Sequence, residues 1–225
     1  MAENMSGHTI LVGFGNVGAR ILQELIDQDI PTVVIANERE KRFGILDKMA
    51  EKANIVIIFG EAAQIAKLKA ANVSTARALI AAIDDDLLNF RIAVNAKELN
   101  PNIRTVIRIF DQIFARKATE IFDIDAAIST SAITASAFVA RSWEDGIIQS
   151  FKSRKTGTDF HLFELSLDSE FDIVTVEFLE EEYDVTIFAV NKEAHPEYDD
   201  CIGPGAKVLL LGSLDSIRKL KERYC

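Results

Sequence analysis

Short apolar runs rich in β-branched residues alternate with longer amphipathic segments up to about residue 130. The apolar runs predict strands at Thr9–Val12, Thr32–Ile35, Ile55–Phe59, Ala78–Ile83, Thr105–Ile109 and Ala126–Ile128. The amphipathic segments predict helices at Val17–Gln28, Arg39–Lys52, Ala62–Ala71, Leu87–Leu99 and Phe114–Ile121. Continuous β-branched strands that alternate with helices need a parallel sheet covered on both faces. Residues 1–128 are therefore predicted to form an α/β lobe of the Rossmann-like, doubly wound kind.

The pattern changes in residues 129–157, which are predicted to hold one helix and a basic link. From Ala126 to Ala140 there is no charged residue, and Ser131–Ala140 is rich in Ala, Ser and Thr. Helices that are apolar or small on every face are buried on every face. The segment is therefore predicted to be a core helix or a crossover helix that packs against a partner.

Residues 158–225 are predicted to form a second, smaller α+β lobe. Its apolar runs predict strands near Phe160–Leu167, Ile173–Phe178, Val185–Val190 and Val208–Leu211, and a final helix at Ser213–Arg223.

The charge is divided unevenly between these parts. The chain has 35 Asp and Glu against 25 Lys and Arg, a net charge of −10. Residues 1–157 hold 19 acids and 19 bases, whereas residues 158–225 hold 16 acids and 6 bases. An acidic protein without a cationic stripe binds nucleic acid poorly, since affinity for the backbone comes from Lys and Arg on the phosphates. No nucleic-acid partner is expected.

Cysteine usage and hydropathy indicate a cytoplasmic location. The only cysteines are Cys201 and Cys225, which favours a reduced compartment without a disulfide framework. No apolar run reaches the roughly 18 residues that span a bilayer, and no signal-peptide pattern opens the chain.

The second lobe holds a cluster of acids. Between Glu164 and Asp184 there are nine acids and no base. Hard divalent cations need several oxygen ligands, so clustered carboxylates are the residues that such a site requires. The spacing matches no EF-hand loop, and a solvated charged face is the commoner explanation. His161 and His195 are expected to be packing or surface residues rather than metal ligands.

The strongest chemical motif is the glycine turn between the first strand and the first helix. It reads Gly13, Phe14, Gly15, Asn16, Val17, Gly18. The first glycine permits the tight turn, the second lets the backbone approach a phosphate, and the third allows close packing of helix on strand. The helix N-terminus then offers N–H donors and a positive dipole end. This context predicts phosphate binding; the other interpretation is a turn retained only for packing.

The end of the second strand leaves the nucleotide open. An adenine dinucleotide usually meets an acidic residue there, but this chain has Ala36. Asn37 can hydrogen-bond a ribose, and Glu38 lies on the same side as Ala36 if the strand continues. Nearby Arg39 and Arg42 are equally suited to an extra phosphate.

Further features follow the glycine turn in a recognisable order. They are Gly60-Glu61 after the third strand, Asp84-Asp85-Asp86 after the fourth, Arg108 in the fifth, and Gly203–Gly212 before the last helix. Together with His8–Gly15, this set resembles the RCK (KTN) domains of the TrkA-N plus TrkA-C type, which regulate potassium channels and transporters. The resemblance covers essentially the whole chain. It implies that Gly60, Glu61, Asp84 and Arg108 join the glycine turn in a nucleotide site.

The resemblance also implies partners and ligands. It implies a homodimer that assembles further into an octameric gating ring, with residues 129–157 in dimerisation and a potassium channel or transporter subunit as membrane partner. The protein would lie peripheral to the membrane or be tethered to it. The ligand would be NAD, NADH, AMP, ADP or ATP, and in several members also Ca²⁺ or another divalent cation. Two departures are Ala36, where the family commonly has Asp, and Glu61, where it has Asp.

Two other functions remain open. A nicotinamide-dependent oxidoreductase would need an acid/base partner, but Tyr183, Tyr198 and Tyr224 all lie in the acidic lobe without a Lys four residues later. His8 precedes the first strand. The chain is therefore predicted not to be an enzyme. A vestigial interaction module that has lost its nucleotide is the other alternative, and Ala36 is its best support.

Overall fold

The protein forms two compact units. The structure, a computed structural model, describes residues 2–37, 44–52, 55–153, 157–168 and 172–224. The first unit is Met1–Thr130 and the second is Ser131–Cys225. None of the described helices is long and apolar enough to cross a membrane.

The first unit is the predicted Rossmann-like lobe. Its strands are β1 Thr9–Val12, β2 Thr32–Ala36, β3 Ile55–Phe59, β4 Ala78–Ala81, β5 Arg104–Arg108 and β6 Ala126–Ile128. Its helices are α1 Asn16–Asp27, α2 Ile45–Lys52, α3 Ile65–Ala70, α4 Asp86–Leu99 and α5 Gln112–Ile121. All strand pairs are parallel, in the order β3-β2-β1-β4-β5-β6. The doubly wound α/β prediction is confirmed.

Continuous apolar strands build this sheet because both of its faces are covered. Every residue of β1 is buried. Ile10 belongs to one hydrophobic cluster, with Leu79, and Leu11 belongs to another, with Leu22. Successive side chains of a strand point to opposite faces. Each face of the sheet therefore has its own core.

One predicted helix is shorter than expected. The prediction ran from Arg39 to Lys52 without a break, but α2 begins at Ile45 and follows Gly44, whose φ is +58°. A left-handed residue cannot continue a right-handed helix, so the prediction was wrong at this point. Residues 38–43 lie outside the described part of the chain.

The second unit is a smaller α+β lobe, as predicted. Its elements are α6 Thr130–Trp143, β7 Ile147–Lys152, β8 Asp159–Ser166, β9 Val174–Thr175, α7 Val176–Tyr183, β10 Val185–Val190, β11 Glu193–Ala194, β12 Cys201–Ile202, β13 Lys207–Gly212 and α8 Leu214–Tyr224. Its main sheet is antiparallel in the order β11-β10-β13-β8-β7, and β12 pairs with β9 in a small second sheet.

The predicted strand Ile173–Phe178 was wrong over most of its length. Only Val174–Thr175 is extended, and helix α7 begins at Val176. The Thr175 hydroxyl accepts a hydrogen bond from the Phe178 N–H and caps the helix. Val176 and Leu179 are buried at helical spacing. A capped helix therefore replaces the strand that the alternating residues had suggested.

Strand β7 was not predicted. It lies within the segment that the sequence assigned to the helix and basic link, and it pairs with β8. The register shifts between Ile147 and Gln149, and the buried residues are Ile147 and Ser150. The bulge breaks the alternation by which a half-buried strand is recognised.

Helix α6 is held to the second unit at its carboxyl end. Glu144 accepts a hydrogen bond from Arg218 at 3.1 Å and from Lys221 at 2.9 Å, both on α8. Ile133, Phe138 and Val139 are 49%, 76% and 62% exposed. The interpretation of α6 as a helix buried on every face within this chain was therefore wrong.

Candidate functional site

The predicted site residues gather at one edge of the parallel sheet. All six strands run the same way, so their carboxyl ends meet there, where α/β sheets bind ligands. The residues stand after or at successive strand ends: Gly13, Phe14, Gly15, Asn16, Val17 and Gly18 after β1, Asn37 after β2, Gly60 and Glu61 after β3, Asp84 after β4, and Arg108 at the end of β5. Glu38, Arg39 and Arg42 lie outside the described residues.

Two glycines bring α1 against β1. A Cβ on Gly18 would lie 2.1 Å from the Gly13 carbonyl oxygen, which is far inside van der Waals contact. A Cβ on Gly13 would lie 3.2 Å from the Ile83 nitrogen, and its φ of +90° favours glycine in any case. The turn and the helix therefore touch backbone to backbone, as the motif predicted.

The N-terminus of α1 is open to a ligand. Gly15 is the N-cap residue, and no side chain makes a cap hydrogen bond there. A Cβ on Gly15 would meet none of the described residues within 4 Å. The first turn of α1 has no acidic residue. Its amide donors and positive dipole end thus suit an anion.

The other residues of the turn have different surroundings. Asn16 is exposed and Val17 is half-buried. Phe14 is 8% exposed and packs in the cluster of Leu11 and Leu22. Its side chain is part of the core.

The ends of β2 and β3 lie side by side. Ala36 is 1% exposed and pairs with Phe59, and the Gly60 N–H donates to the Ala36 carbonyl at 2.8 Å. Asn37 is exposed beside them. The ammonium of Lys67, on α3, donates to the Phe59 carbonyl at 2.8 Å. No sequence motif had drawn attention to Lys67, whose position follows from the packing of α3 beside β3.

Glu61 is exposed at the same edge. Its carboxylate accepts a hydrogen bond from the Gln64 side chain at 3.4 Å, which is a long and weak bond. The carboxylate therefore lies exposed at the carboxyl edge of the sheet, and this bond to a neighbouring side chain restrains it only loosely.

An ion pair joins the ends of β4 and β5. The Arg108 guanidinium lies 2.9 Å from the Asp84 carboxylate. The Asp84 side chain is 92% exposed and that of Arg108 is 23% exposed. An ion pair this exposed contributes little to stability. The structure thus brings these two predicted site residues together, with the guanidinium set deeper than the carboxylate.

Sequence reasoning missed Asn89, which hydrogen-bonds the backbone of Ile83 and of Arg108 beside this ion pair. Its side chain is fully buried. The amide oxygen accepts from the Ile83 N–H at 3.0 Å, and the amide nitrogen donates to the Ile83 carbonyl at 2.7 Å and the Arg108 carbonyl at 2.9 Å. A signal was present, since Asn89 shares a helical face with the buried residues Ile92, Ala93 and Ala96.

The two acids after Asp84 have structural roles. Asp85 caps α4 by accepting from the Leu88 N–H at 2.9 Å. The Asp86 carboxylate accepts from the Phe110 N–H at 2.9 Å and the Asp111 N–H at 3.1 Å. Of the three consecutive acids, Asp84 is the one directed to the site.

The histidine of the first unit lies away from this edge. His8 precedes β1, at the amino end of the strand, and is fully buried. Its Nε2 lies 2.9 Å from the Ala71 carbonyl oxygen. It is therefore not placed to exchange a proton with a ligand at the glycine turn, which disfavours the oxidoreductase alternative.

The acids of the second unit are mostly exposed. Glu177, Glu180 and Glu181 line a cavity of about 280 Å³ with Tyr198, and Glu180 accepts from the Ile187 N–H at 2.6 Å. Within the ranges that the structure describes, no three His, Cys, Asp or Glu side chains are grouped so as to hold a metal ion. Glu170 lies outside those ranges. The arrangement favours the solvated face, and the divalent cation stays a prediction.

Comparison with known proteins identifies relatives of both units. A family model described as the TrkA-N domain matches residues 9–130, more than half of the chain. Potassium channel protein 1 of Methanocaldococcus jannaschii is 33% identical over 107 residues, which are 47% of this chain and 31% of that protein. This chain therefore spans about a third of that channel's length. A Trk system potassium uptake protein TrkA homolog of Pyrococcus horikoshii is 25% identical over 225 residues, covering 96% of both chains.

Solved structures share the fold. A structure titled GsuK channel bound to NAD aligns with a TM-score of 0.61 at 13% identity, covering 97% of this chain and 39% of that one. A Kef C-terminal domain of Shewanella denitrificans in an AMP-bound form aligns with a TM-score of 0.52 at 19% identity, covering 60% of this chain and 79% of that one. At these identities the similarity establishes the fold alone.

Proposed function

Because the chain belongs to the TrkA-N domain family, we propose that it is the ligand-sensing regulatory part of a potassium channel or transporter, and not an enzyme. The names of its relatives support potassium transport. The observation that carries the ligand-sensing role is the open N-terminus of α1 above Gly15. Phosphate is the chemical group that such a helix end binds.

The proposed ligand is NAD, NADH, AMP, ADP or ATP, bound along the carboxyl edge of the sheet. The amides of the glycine turn would hold phosphate. Asn37 and the Gly60-Glu61 pair would meet the adenosine, on the side of β2 and β3. Arg108 would exchange part of its contact with Asp84 for an anionic group of the ligand, since a guanidinium binds carboxylate and phosphate in the same way.

Regulation follows from differential affinity. A ligand shifts the protein between two conformations only to the extent that it binds one better than the other. Coupled to a membrane subunit, that difference becomes a coupling free energy between the nucleotide site and the pore. We place the protein on the cytoplasmic side, peripheral to the membrane or tethered to it through the channel or transporter.

A second copy of the chain is the proposed first partner. Helix α6 exposes Ile133, Phe138 and Val139. Large apolar side chains exposed on one helix are candidates for burial against a partner. A homodimer through α6, with assembly into an octameric ring as the larger state, accounts for them. Analytical ultracentrifugation should give a dimer or larger for the natural chain and a monomer for Phe138→Glu, and a monomeric natural chain would contradict the homodimer.

Calorimetric titration with NAD⁺, NADH, AMP, ADP and ATP tests the nucleotide site. We expect at least one to bind the natural chain, and Gly15→Val to abolish that binding with little change in stability, because none of the described residues lies within 4 Å of a Cβ at Gly15. Gly203→Val, in the second unit, is the matched control. If none binds at millimolar concentration, the nucleotide role is wrong and the vestigial module, favoured by Ala36, is the better description.

A further inference from the structure

The ribose end of the site has no acid at the end of β2, and a cation lies at the end of the neighbouring strand β3. In dinucleotide-binding α/β folds, an acidic residue after the second strand hydrogen-bonds the ribose 2′-hydroxyl, and a cationic side chain nearby instead accommodates a 2′-phosphate. We propose that Lys67 makes this site select nucleotides that carry a phosphate on the 2′-oxygen of the adenosine ribose. This inference rests on the proposed nucleotide-binding function and names its substrate class.

The first step concerns Ala36. It closes β2 at the position where the acid is expected, and it is 1% exposed. A methyl group cannot accept a hydrogen bond from a ribose hydroxyl. It also carries no negative charge that would repel a phosphate. The position therefore lacks the feature that favours an unmodified ribose.

The second step concerns the residue beside it. Phe59 is the register partner of Ala36 on β3, and its carbonyl holds the Lys67 ammonium at 2.8 Å. The cation is thus one strand away from the missing acid. A Cβ on Gly60 would lie 2.4 Å from the Lys67 Cε, so the lysine side chain reaches this place by crossing over a glycine. The glycine and the lysine together place a cation at the end of β3.

The third step concerns the charge that the ammonium can offer. Across the described residues, no carboxylate lies within 4.0 Å of the Lys67 Nζ. Its hydrogen bond to Phe59 uses one of the three donors of an ammonium group, and the acceptor is neutral. A phosphate oxygen would therefore meet a cation that no described carboxylate neutralises, in a charge-assisted hydrogen bond.

A structural role for Lys67 predicts something different. If the lysine only anchors the end of β3, removing its charge lowers stability and weakens all nucleotides alike. A specificity role predicts that the loss is confined to ligands with a 2′-phosphate. The two roles are separated by comparing nucleotides with and without the 2′-phosphate, and a bisphosphate of equal charge separates the position of the phosphate from its charge.

Isothermal titration with three nucleotides makes this comparison. The set is 5′-AMP, adenosine 2′,5′-bisphosphate and adenosine 3′,5′-bisphosphate, and the proteins are the natural chain, Lys67→Met, Lys67→Arg and Lys69→Met. We expect the 2′,5′-bisphosphate to bind the natural chain about tenfold tighter than 5′-AMP, as one charge-assisted hydrogen bond allows. Lys67→Met should lose that preference while its affinity for 5′-AMP stays within about twofold. Lys67→Arg should keep it, and Lys69→Met, an exposed lysine of the same helix, should leave it unchanged.

Each other result has a definite meaning. Equal affinities of the natural chain for 5′-AMP and the 2′,5′-bisphosphate, or a preference that survives Lys67→Met, would overturn the inference and leave the nucleotide site standing. An equal gain for the 3′,5′-bisphosphate would also overturn it, because the effect would then follow charge and not position. If neither 5′-AMP nor either bisphosphate binds, the inference fails, and the titration with NAD⁺, NADH, ADP and ATP decides whether the nucleotide site fails with it. Thermal unfolding of the four proteins confirms that the variants are folded.

Discussion

The two units of this chain use two kinds of sheet, and the difference explains where each carries its polar residues. In the first unit the strands are parallel and β1 and β2 are buried at every position, so polar groups are displaced to the strand ends. In the second, β8 alternates buried with exposed residues and one face meets water. A parallel sheet therefore concentrates its chemistry at one edge, whereas the antiparallel sheet spreads acids over a surface.

The distribution of charged residues also follows from the type of sheet in each unit. The last 68 residues carry 16 acids and 6 bases, and acids such as Glu164 and Glu177 are exposed. In the first unit, acids near the site are individually engaged, as Asp84 with Arg108 and Asp86 with two backbone amides. The two units therefore differ in how their charges are arranged as well as in how many they carry. Only the first unit places charged side chains with specific partners along one edge of its sheet.

The largest effect on stability is expected from Gly18→Ala, which disturbs the packing of α1 against the turn after β1. The new Cβ would lie 2.1 Å from the Gly13 carbonyl oxygen. Because this is a contact with backbone, it can be relieved only by moving the helix or the turn. We expect the first unit to lose about 3 kcal/mol of unfolding free energy, the upper range for overpacking. Hydrogen exchange should locate this loss in residues 9–130 and leave the second unit unchanged. Gly15→Ala, with no described residue within 4 Å of the new Cβ, is the control, and equal losses for both would contradict the packing argument.

The next effect is expected from Asn89→Leu. The substitution leaves the Ile83 N–H and the carbonyls of Ile83 and Arg108 without their partner in a buried place. Unsatisfied buried groups make this cost about 2–3 kcal/mol. Urea unfolding measures it. Asn95→Leu removes a single 3.3 Å bond and should cost clearly less, so a similar loss for both variants would mean that the three bonds of Asn89 are not what matters.

The same contrast explains what the sequence could predict. The parallel strands of the first unit were recognised because a strand buried on both faces is a continuous apolar run, and the glycine turn because its spacing has a steric cause. Asn89 and Lys67 were missed since their roles depend on contacts with residues such as Ile83 and Phe59, which the fold brings near.

The second unit was predicted less well, for two physical reasons. The alternation of Ile173–Phe178 imitates a strand, but the Thr175 cap starts a helix in its middle. Strand β7 has no alternation because of the bulge after Ile147, and its extended form is fixed by pairing with β8. Local capping and tertiary pairing outweighed the periodicity at both places.

A smaller effect, confined to the second unit, is expected from Glu144→Gln. The hydrogen bond from Lys221 lowers the pKa of Glu144 most, burial opposes this, and Arg218 lowers the pKa further. A carboxyl whose pKa is lowered by folding stabilises the protein above its unfolded pKa and loses that contribution as pH falls through the folded value. We expect a loss of about 1 kcal/mol at pH 7, or about 4–8 °C in Tm.

The pH dependence sharpens this test. The difference between Glu144→Gln and the natural chain should shrink in acid, once the carboxyl is protonated in both states. Glu164→Gln, at an exposed carboxylate, is the control and should change little at any pH. A difference that persists unchanged into acid would show that packing, and not the charged pair, is responsible.

The smallest effect is expected from His161, which is buried and lies 2.8 Å from the Ser150 hydroxyl. Burial lowers the pKa of His161 below its ordinary value of 6.5, against an opposing effect of Asp159. The unfolded state therefore takes up the proton first as pH falls below about 6.5, and the second unit loses stability there. Thermal unfolding from pH 8 to pH 5 should show a shallower acid decline for His161→Gln. Identical slopes would contradict this role.

The bonds of Asn89 have a mechanical consequence. The Asn89 side chain joins the backbone after β4 to the end of β5, so this part of the carboxyl edge resists deformation. At the opposite wall, a flexible lysine stem reaches the end of β3 through a single hydrogen bond. The β4 and β5 side of the site is therefore held more rigidly than the β3 side. Movement on ligand capture should therefore begin at β3 and α3, with β4 and β5 as the frame against which it is measured.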